Sequence, residues 1–255
     1  MLRAGLVFLG ILLASLGTAR ADKLTLALST NDIEINSAFN GLQLTIFGVI
    51  EGDEGQAPAT TDYDVAVVIL GPRQSVVARR KDRIAGIWAN SGGQTILNPP
   101  SFYAISTSGP LPALATPAVR ERLQLGFNDM AFVYEGRALV NDPSAAEFRD
   151  AFIRLKEEAG LYDEQEGVTF VGDFAFRTAV FMPTSIPVGT YTAVAYVLSD
   201  GELVARAEET ITVSKTGAEA ALASFARGQA LAYGILCVAL ALAIGWLGGV
   251  IFRRD

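Results

Sequence analysis

The sequence predicts a mainly β protein: an immunoglobulin-like antiparallel β-sandwich with a helical insertion, followed by one C-terminal transmembrane helix. Three observations predict it. Short apolar segments with period-two alternation recur between turn signals on both sides of a helical stretch. A tyrosine, Tyr191, follows a Gly turn at the start of the penultimate strand, as in the tyrosine corner of immunoglobulin-like sandwiches. Residues 230–252 hold no charged side chain. With no disulfide and no Trp on the central strand, these features support the sandwich architecture, and a generic antiparallel α+β domain is the alternative.

Leu24, Leu26 and Leu28 alternate with Lys23, Thr25 and Ala27 as in a half-buried strand, which residues 33–35 could continue. Leu42, Leu44 and Ile46 alternate again after Asn40-Gly41. Gly52, Gly55 and Pro58 mark an acidic loop. Residues 63–70 form an almost unbroken apolar run rich in Val, the mark of a central strand covered on both faces, and Gly71-Pro72 ends it. Residues 75–78 and 84–88 read as short strands around a basic turn, and 102–107 as another strand. Helical signals follow. Thr116-Pro117 offers an N-cap with Pro at the first helical position, and Gly126 a stop. A stronger helix spans 143–159, with Asp142 as cap, Gly160 as terminator and Phe148, Phe152, Leu155 and Ala159 on one face. Strands resume at 174–181, and 192–198 and 203–213 are joined by Asp200-Gly201, a type I′ hairpin signal.

The ends set a topology. Arg3, an apolar run over 6–16 and Ala19-Arg20-Ala21 read as a secretory signal peptide cut after Ala21, against the alternative of an uncleaved N-terminal helix. Residues 231–252 would extend about 33 Å as a helix, enough to cross a hydrocarbon core. Trp246 and Tyr233 lie toward its opposite ends, and Arg253 and Arg254 follow at once, which predicts a cytoplasmic C-terminus and an exported body. The expected organisation is a signal peptide (1–21), an exported domain (22–215) with its helical insertion at about 108–166, a juxtamembrane stalk (216–229), the span (230–252) and a cytoplasmic tail (253–255). The expected location is a bacterial inner membrane with the body in the periplasm. A body with neither Cys nor an N-x-Ser/Thr sequon agrees with that.

Composition narrows the function. The 255 residues include no His and one Cys, Cys237, inside the apolar span. A Ser-His-Asp triad, an imidazole metal site and a Cys cluster are thereby excluded. The net charge is −7. Residues 22–229 hold 16 basic and 26 acidic side chains, a balance of about −10 that argues against nucleic acid as a partner. No cofactor and no metal site are expected: Asp53, Glu54, Asp62 and Asp64 do not have the spacing of a calcium loop. Acid–base chemistry would rest on Asp, Glu, Lys or Tyr, so a binding or scaffolding module is expected rather than an enzyme. A carboxylate-based membrane-anchored enzyme and a ligand-sensing ectodomain are the rivals.

Two sets of residues are candidates for contacts. Arg79, Arg80, Lys81 and Arg83, with Trp88 nearby, concentrate positive charge in an acidic body. They suit an anionic ligand, lipid headgroups or an acidic partner, or else guard a sheet edge against aggregation. Ala241, Gly245 and Gly249 recur every four residues and would let a second helix approach the span.

The chain also resembles an alphaproteobacterial transmembrane protein family of unknown biochemical function. The resemblance is carried by Gly71-Pro72, Arg79-Arg80-Lys81, Gly86-Ile87-Trp88, Ser101-Phe102-Tyr103, residues 151–156, Gly160-Leu161-Tyr162, residues 187–191 and Tyr233-Gly234. It implies an N-terminal signal, a C-terminal span and a role accessory to a permease of the sulfite-exporter type. It implies no catalytic residue. The partners to expect are the bilayer, through the C-terminal helix, and a membrane permease or a second copy of the chain.

Overall fold

The computed structural model describes residues 22–52, 62–84, 86–136, 143–217, 222 and 225–251. The signal segment, the acidic loop over 53–61, Asp142 and residues 252–255 lie outside the described residues. In chain order the strands are β1 (Lys23–Leu28), β2 (Asp32–Ile35), β3 (Leu42–Glu51), β4 (Asp64–Leu70), β5 (Val76–Ile84), β6 (Ile87–Leu97), β7 (Tyr103–Thr107), β8 (Val133–Tyr134), β9 (Tyr162–Gln165), β10 (Thr169–Phe170), β11 (Ala175–Met182), β12 (Gly189–Ser199) and β13 (Glu202–Lys215). The helices are α1 (Leu111–Leu114), α2 (Pro117–Leu123), α3 (Pro143–Glu158) and α4 (Ala230–Ile251).

The strands form three sheets, ordered β1-β3-β11-β10, β2-β13-β12-β4-β7-β9 and β5-β6-β8. Pairing is antiparallel except for β2 with β13 and β7 with β9. The first two sheets pack face to face. Leu44, Ile46, Phe176 and Val180 from one meet Val65, Val67, Ile69, Ala193 and Val197 from the other, all buried. The opposite face of the six-stranded sheet carries a second core, where Ala66, Val68, Ile105, Val194 and Leu198 meet Leu114, Val119, Phe152 and Ile153 of the helices. Two covered faces explain why β4 and β12 are apolar at nearly every position, since each side chain of this size contributes about 1.5–3 kcal/mol on burial. Packing is close enough that Gly48 of β3 lies under the ring of its cross-strand partner Phe176. A Cβ there would overlap the Phe176 ring.

Local signals account for several joins. Asp200 and Gly201 both take positive φ, 52° and 78°, in the turn between β12 and β13. Tyr191 donates a 2.7 Å hydrogen bond to the carbonyl of Pro187, closing a corner four residues back. Gly160, at φ 66°, ends α3: its N–H reaches the Glu157 carbonyl and that of Leu161 the Lys156 carbonyl, the paired bonds of a Schellman motif.

Three expectations need correction. Residues 79–83 form no turn. They lie within β5 of a long β5–β6 hairpin whose register shifts between Arg79 and Arg80. Helix α2 stops before Gly126, at Gln124 with φ 53°, and its N-cap Thr116 makes no side-chain cap bond. On α3, Phe152 is 4% exposed but Leu155 is 61% exposed. The buried face runs instead through Ala145, Phe152 and Ile153, with Arg149 and Lys156 half-buried beside them. Those two cations can join an apolar face because aromatic rings receive them: Arg149 lies 5.9 Å from the Phe132 centroid and Lys156 lies 5.6 Å from that of Phe152.

Helix α4 is apolar throughout. It is long enough to cross a membrane, and none of its span is buried against the rest of the chain.

Candidate ligand cavity

On the helix-covered side of the six-stranded sheet is a cavity of about 410 Å³, within the size range of small-molecule sites. Strands β4, β12 and β13 supply its floor through Val68, Leu70, Tyr196 and Leu203. Helix α2 and the segment after it supply a wall through Arg122, Leu123, Gln124 and Met130, and the β4–β5 connection supplies Arg73.

Three arginines line this cavity, and no described lining residue carries a carboxylate. In an acidic body that is an inversion of the local charge. Arg206 is the cross-strand partner of Tyr196, lies 5.9 Å from that ring's centroid, and donates to Glu208 at 2.7 Å. Burial pushes the Tyr196 hydroxyl up from its ordinary range, and the neighbouring Arg206 partly opposes that. Arg73 donates through Nη1 to the Asn98 carbonyl at 3.1 Å. Arg122 is exposed, and among the described residues it has no hydrogen-bond or ion-pair partner.

The wall is fixed from behind. The Tyr103 hydroxyl donates to the Gln124 carbonyl at 3.0 Å and accepts from the Gly126 N–H at 2.8 Å. One side chain thus holds both residues of the left-handed turn that ends α2, which offsets the cost of placing Gln where Gly is preferred. Phe127 N–H donates to Glu164, Arg149 donates to the Asn128 carbonyl at 2.7 Å, and Arg120 faces Asp129 at 3.7 Å. Burial raises the Tyr103 hydroxyl far above its ordinary value, so it stays protonated and remains a donor.

Next to the cavity, segments distant in sequence converge. Gly71 N–H donates to the Phe102 carbonyl at 2.8 Å, and Ser101 N–H to the Pro72 carbonyl at 2.9 Å. The Phe102 and Tyr191 ring centroids are 5.9 Å apart. Lys156 donates to the Ser101 carbonyl at 3.1 Å, Tyr162 to the Pro100 carbonyl at 2.7 Å, and Tyr103 N–H to the Leu161 carbonyl at 3.0 Å. Five of the segments singled out in the sequence (Gly71-Pro72, Ser101-Phe102-Tyr103, residues 151–156, Gly160-Leu161-Tyr162 and residues 187–191) therefore form one bonded junction between the two cores. Burial lowers the Lys156 ammonium from its ordinary range there.

The basic segment lies elsewhere. Arg79 and Arg83 are exposed on the β5–β6 hairpin and do not line the cavity. The backbone register pairs Arg83 with Trp88 and Lys81 with Asn90, while the side chains of Arg80, Lys81 and Trp88 lie outside the described set. The hairpin's base docks on the second core through buried Ile96, and Ile87 near its tip is 72% exposed. Ala241, Gly245 and Gly249 fall on α4 and do not line the cavity. Sequence reasoning missed Arg73, Arg122 and Arg206. They are far apart in the chain, and only the pairing of β4, β12 and β13 with the helical layer brings them to one place.

The family model described as "Putative transmembrane protein (Alph_Pro_TM)" matches residues 23–254. The chain belongs to this family. The match runs from the first strand through the apolar helix, so the β-rich body and the candidate span are both part of what defines the family. No curated protein and no solved structure matches the chain.

Proposed function

We propose that the chain is a single-pass envelope protein of the bacterial inner membrane whose periplasmic, immunoglobulin-like body is a binding or scaffolding module accessory to a membrane permease. The observation that carries this reading is a division of labour. Helix α4 carries no Asp, Glu, Lys, Arg or His from Ala230 to Ile251, so alone it gives a solute no charged path and serves as an anchor. The body, with two cores of its own, holds the charge-inverted cavity.

The sheet orders, the parallel β2–β13 edge pairing and the Tyr191–Pro187 corner support the immunoglobulin-like reading. Binding is favoured over catalysis because Tyr103, Tyr162 and Tyr191 donate to backbone carbonyls and are pushed up by burial, away from proton transfer near neutral pH.

Affinity purification of the full chain from native membranes tests the proposal. A stoichiometric permease supports the accessory role; recovery of the chain without any membrane protein contradicts it. Gly245→Ile should lower that recovery if the span's small-residue face makes the contact. Arg79→Glu with Arg80→Glu should lower it if the hairpin does, and should leave it intact if its charges only guard an edge.

A further inference from the structure

We infer that the cavity bounded by Arg73, Arg122 and Arg206 is a binding site for a small organic anion: one carboxylate, sulfonate or phosphate head on a compact apolar body. The inference rests on the binding-module reading above and names the ligand class of that site.

Three features require both halves of such a ligand. The first is that three arginines from separate parts of the chain line one cavity whose described lining has no carboxylate. Planar forks of this kind recognise oxyanions with paired hydrogen bonds, and a partly enclosed site strengthens them. The second is the state of each arginine. Arg73 is oriented by the Asn98 carbonyl, and Arg206 is braced by Glu208 and the Tyr196 ring. Arg122 stands in the last turn of α2, where the helix dipole favours a cation, and its side chain has no partner among the described residues, which leaves its guanidinium available to a ligand. The third is the floor. Val68, Leu70 and Leu203 offer an inorganic ion nothing, but favour an apolar body. A neutral apolar molecule, conversely, would make no use of the Arg122 and Arg73 charges, which have no carboxylate partner among the described residues.

Isothermal titration of the full chain in a maltoside detergent tests this, with protein-free micelles as blank. The probes are 2-naphthalenesulfonate, its neutral counterpart 2-naphthol, and inorganic sulfate. Saturable binding of the sulfonate is expected, tighter by about tenfold or more than either of the others. Arg122→Gln should weaken it by about tenfold or more, the loss of one charge-assisted fork. Arg122 is exposed and its side chain has no partner among the described residues, so this variant should melt like the wild type. Arg79→Gln with Arg83→Gln on the hairpin should leave the affinity unchanged. No saturable sulfonate binding, equal binding of 2-naphthol or sulfate, or indifference to Arg122→Gln in a folded protein would each overturn the assignment. If the titration fails while a permease is still recovered from membranes, the ligand class falls and the binding-module reading stands. If sulfonate binds and no partner is recovered, the site stands and the accessory role falls.

Discussion

The Tyr63 hydroxyl donates a 2.7 Å hydrogen bond to the carboxylate of Asp22, 41 residues earlier in the chain, and both side chains are buried. Asp22 is the residue that follows the expected signal cleavage site. The first residue of the mature chain would thus be tied to the segment entering β4. Intact mass of protein extracted from membranes should correspond to a chain starting at Asp22. Tyr63→Phe should lower stability by about 2 kcal/mol, because a buried carboxylate loses a charge-assisted donor. An unchanged melting temperature would mean that water replaces the hydroxyl.

Phe152 and Leu155 separate the packing role of α3 from its helical periodicity. Phe152 has ring neighbours in Phe132 and Tyr162, each at 5.7 Å between centroids. Phe152→Ala should cost about 3–5 kcal/mol in chemical denaturation. Leu155→Ala should stay within about 0.5 kcal/mol of wild type, since the side chain is largely exposed. Equal losses at the two positions would show that the helix packs by a different face.

Alkaline pH should destabilise the body. Burial raises the hydroxyls of Tyr103, Tyr162 and Tyr191 in the folded chain, while in the unfolded chain they titrate near pH 10. Above that pH the native state holds more protons than the unfolded one, so stability falls as pH rises. Lys156 acts with the opposite sign. Burial lowers it in the native state, so stability from that group rises with pH just below its ordinary value of about 10.4. Burial raises Tyr134 and Tyr196 as well, so five tyrosines against one lysine leave a net fall. The melting temperature should be flat from pH 7 to 9 and drop beyond 10; a flat profile through pH 11.5 would show that these hydroxyls reach solvent.

Gly48→Ala should destabilise the first sheet despite the better strand propensity of Ala. The new methyl would collide with the Phe176 ring, whose displacement disturbs a residue at the centre of the inter-sheet core. A loss of about 1–3 kcal/mol is expected. Gly48→Ala combined with Phe176→Leu should recover part of it, and strictly additive losses would argue that the two positions do not contact.

The sandwich strands were legible because their signals are local. Alternation in β1, β3 and β11, the dense apolar β4, and the Asp200-Gly201 turn each carry their own structure. The unbroken run in β4 even announced burial on both faces. The β5–β6 hairpin was not legible as one element. Its charges and Gly92-Gly93 interrupt any period-two apolar pattern, and only its base, through Val76, Ala78 and Ile96, reaches the second core. The register of α3 was misread because a leucine points outward while an arginine and a lysine lie over aromatic rings, a preference that hydrophobic spacing does not register. The cavity was not legible at all. Residues 73, 122 and 206 are close only after β4, β12 and β13 pair, and the one sequence-local cluster of cations lies on a hairpin outside it.

Between Lys215, the last residue of β13, and Ala230, the first of α4, run 14 residues. Fully extended they reach no farther than about 50 Å. With α4 placed across a bilayer, the body would be on a short leash, confined to a thin layer over that membrane. In that layer any membrane-embedded partner is met at an effective concentration that short tethers raise to about the millimolar range. A contact too weak to survive between free molecules would be well occupied there. Lengthening the leash with flexible residues would dilute that encounter without altering one atom of either surface.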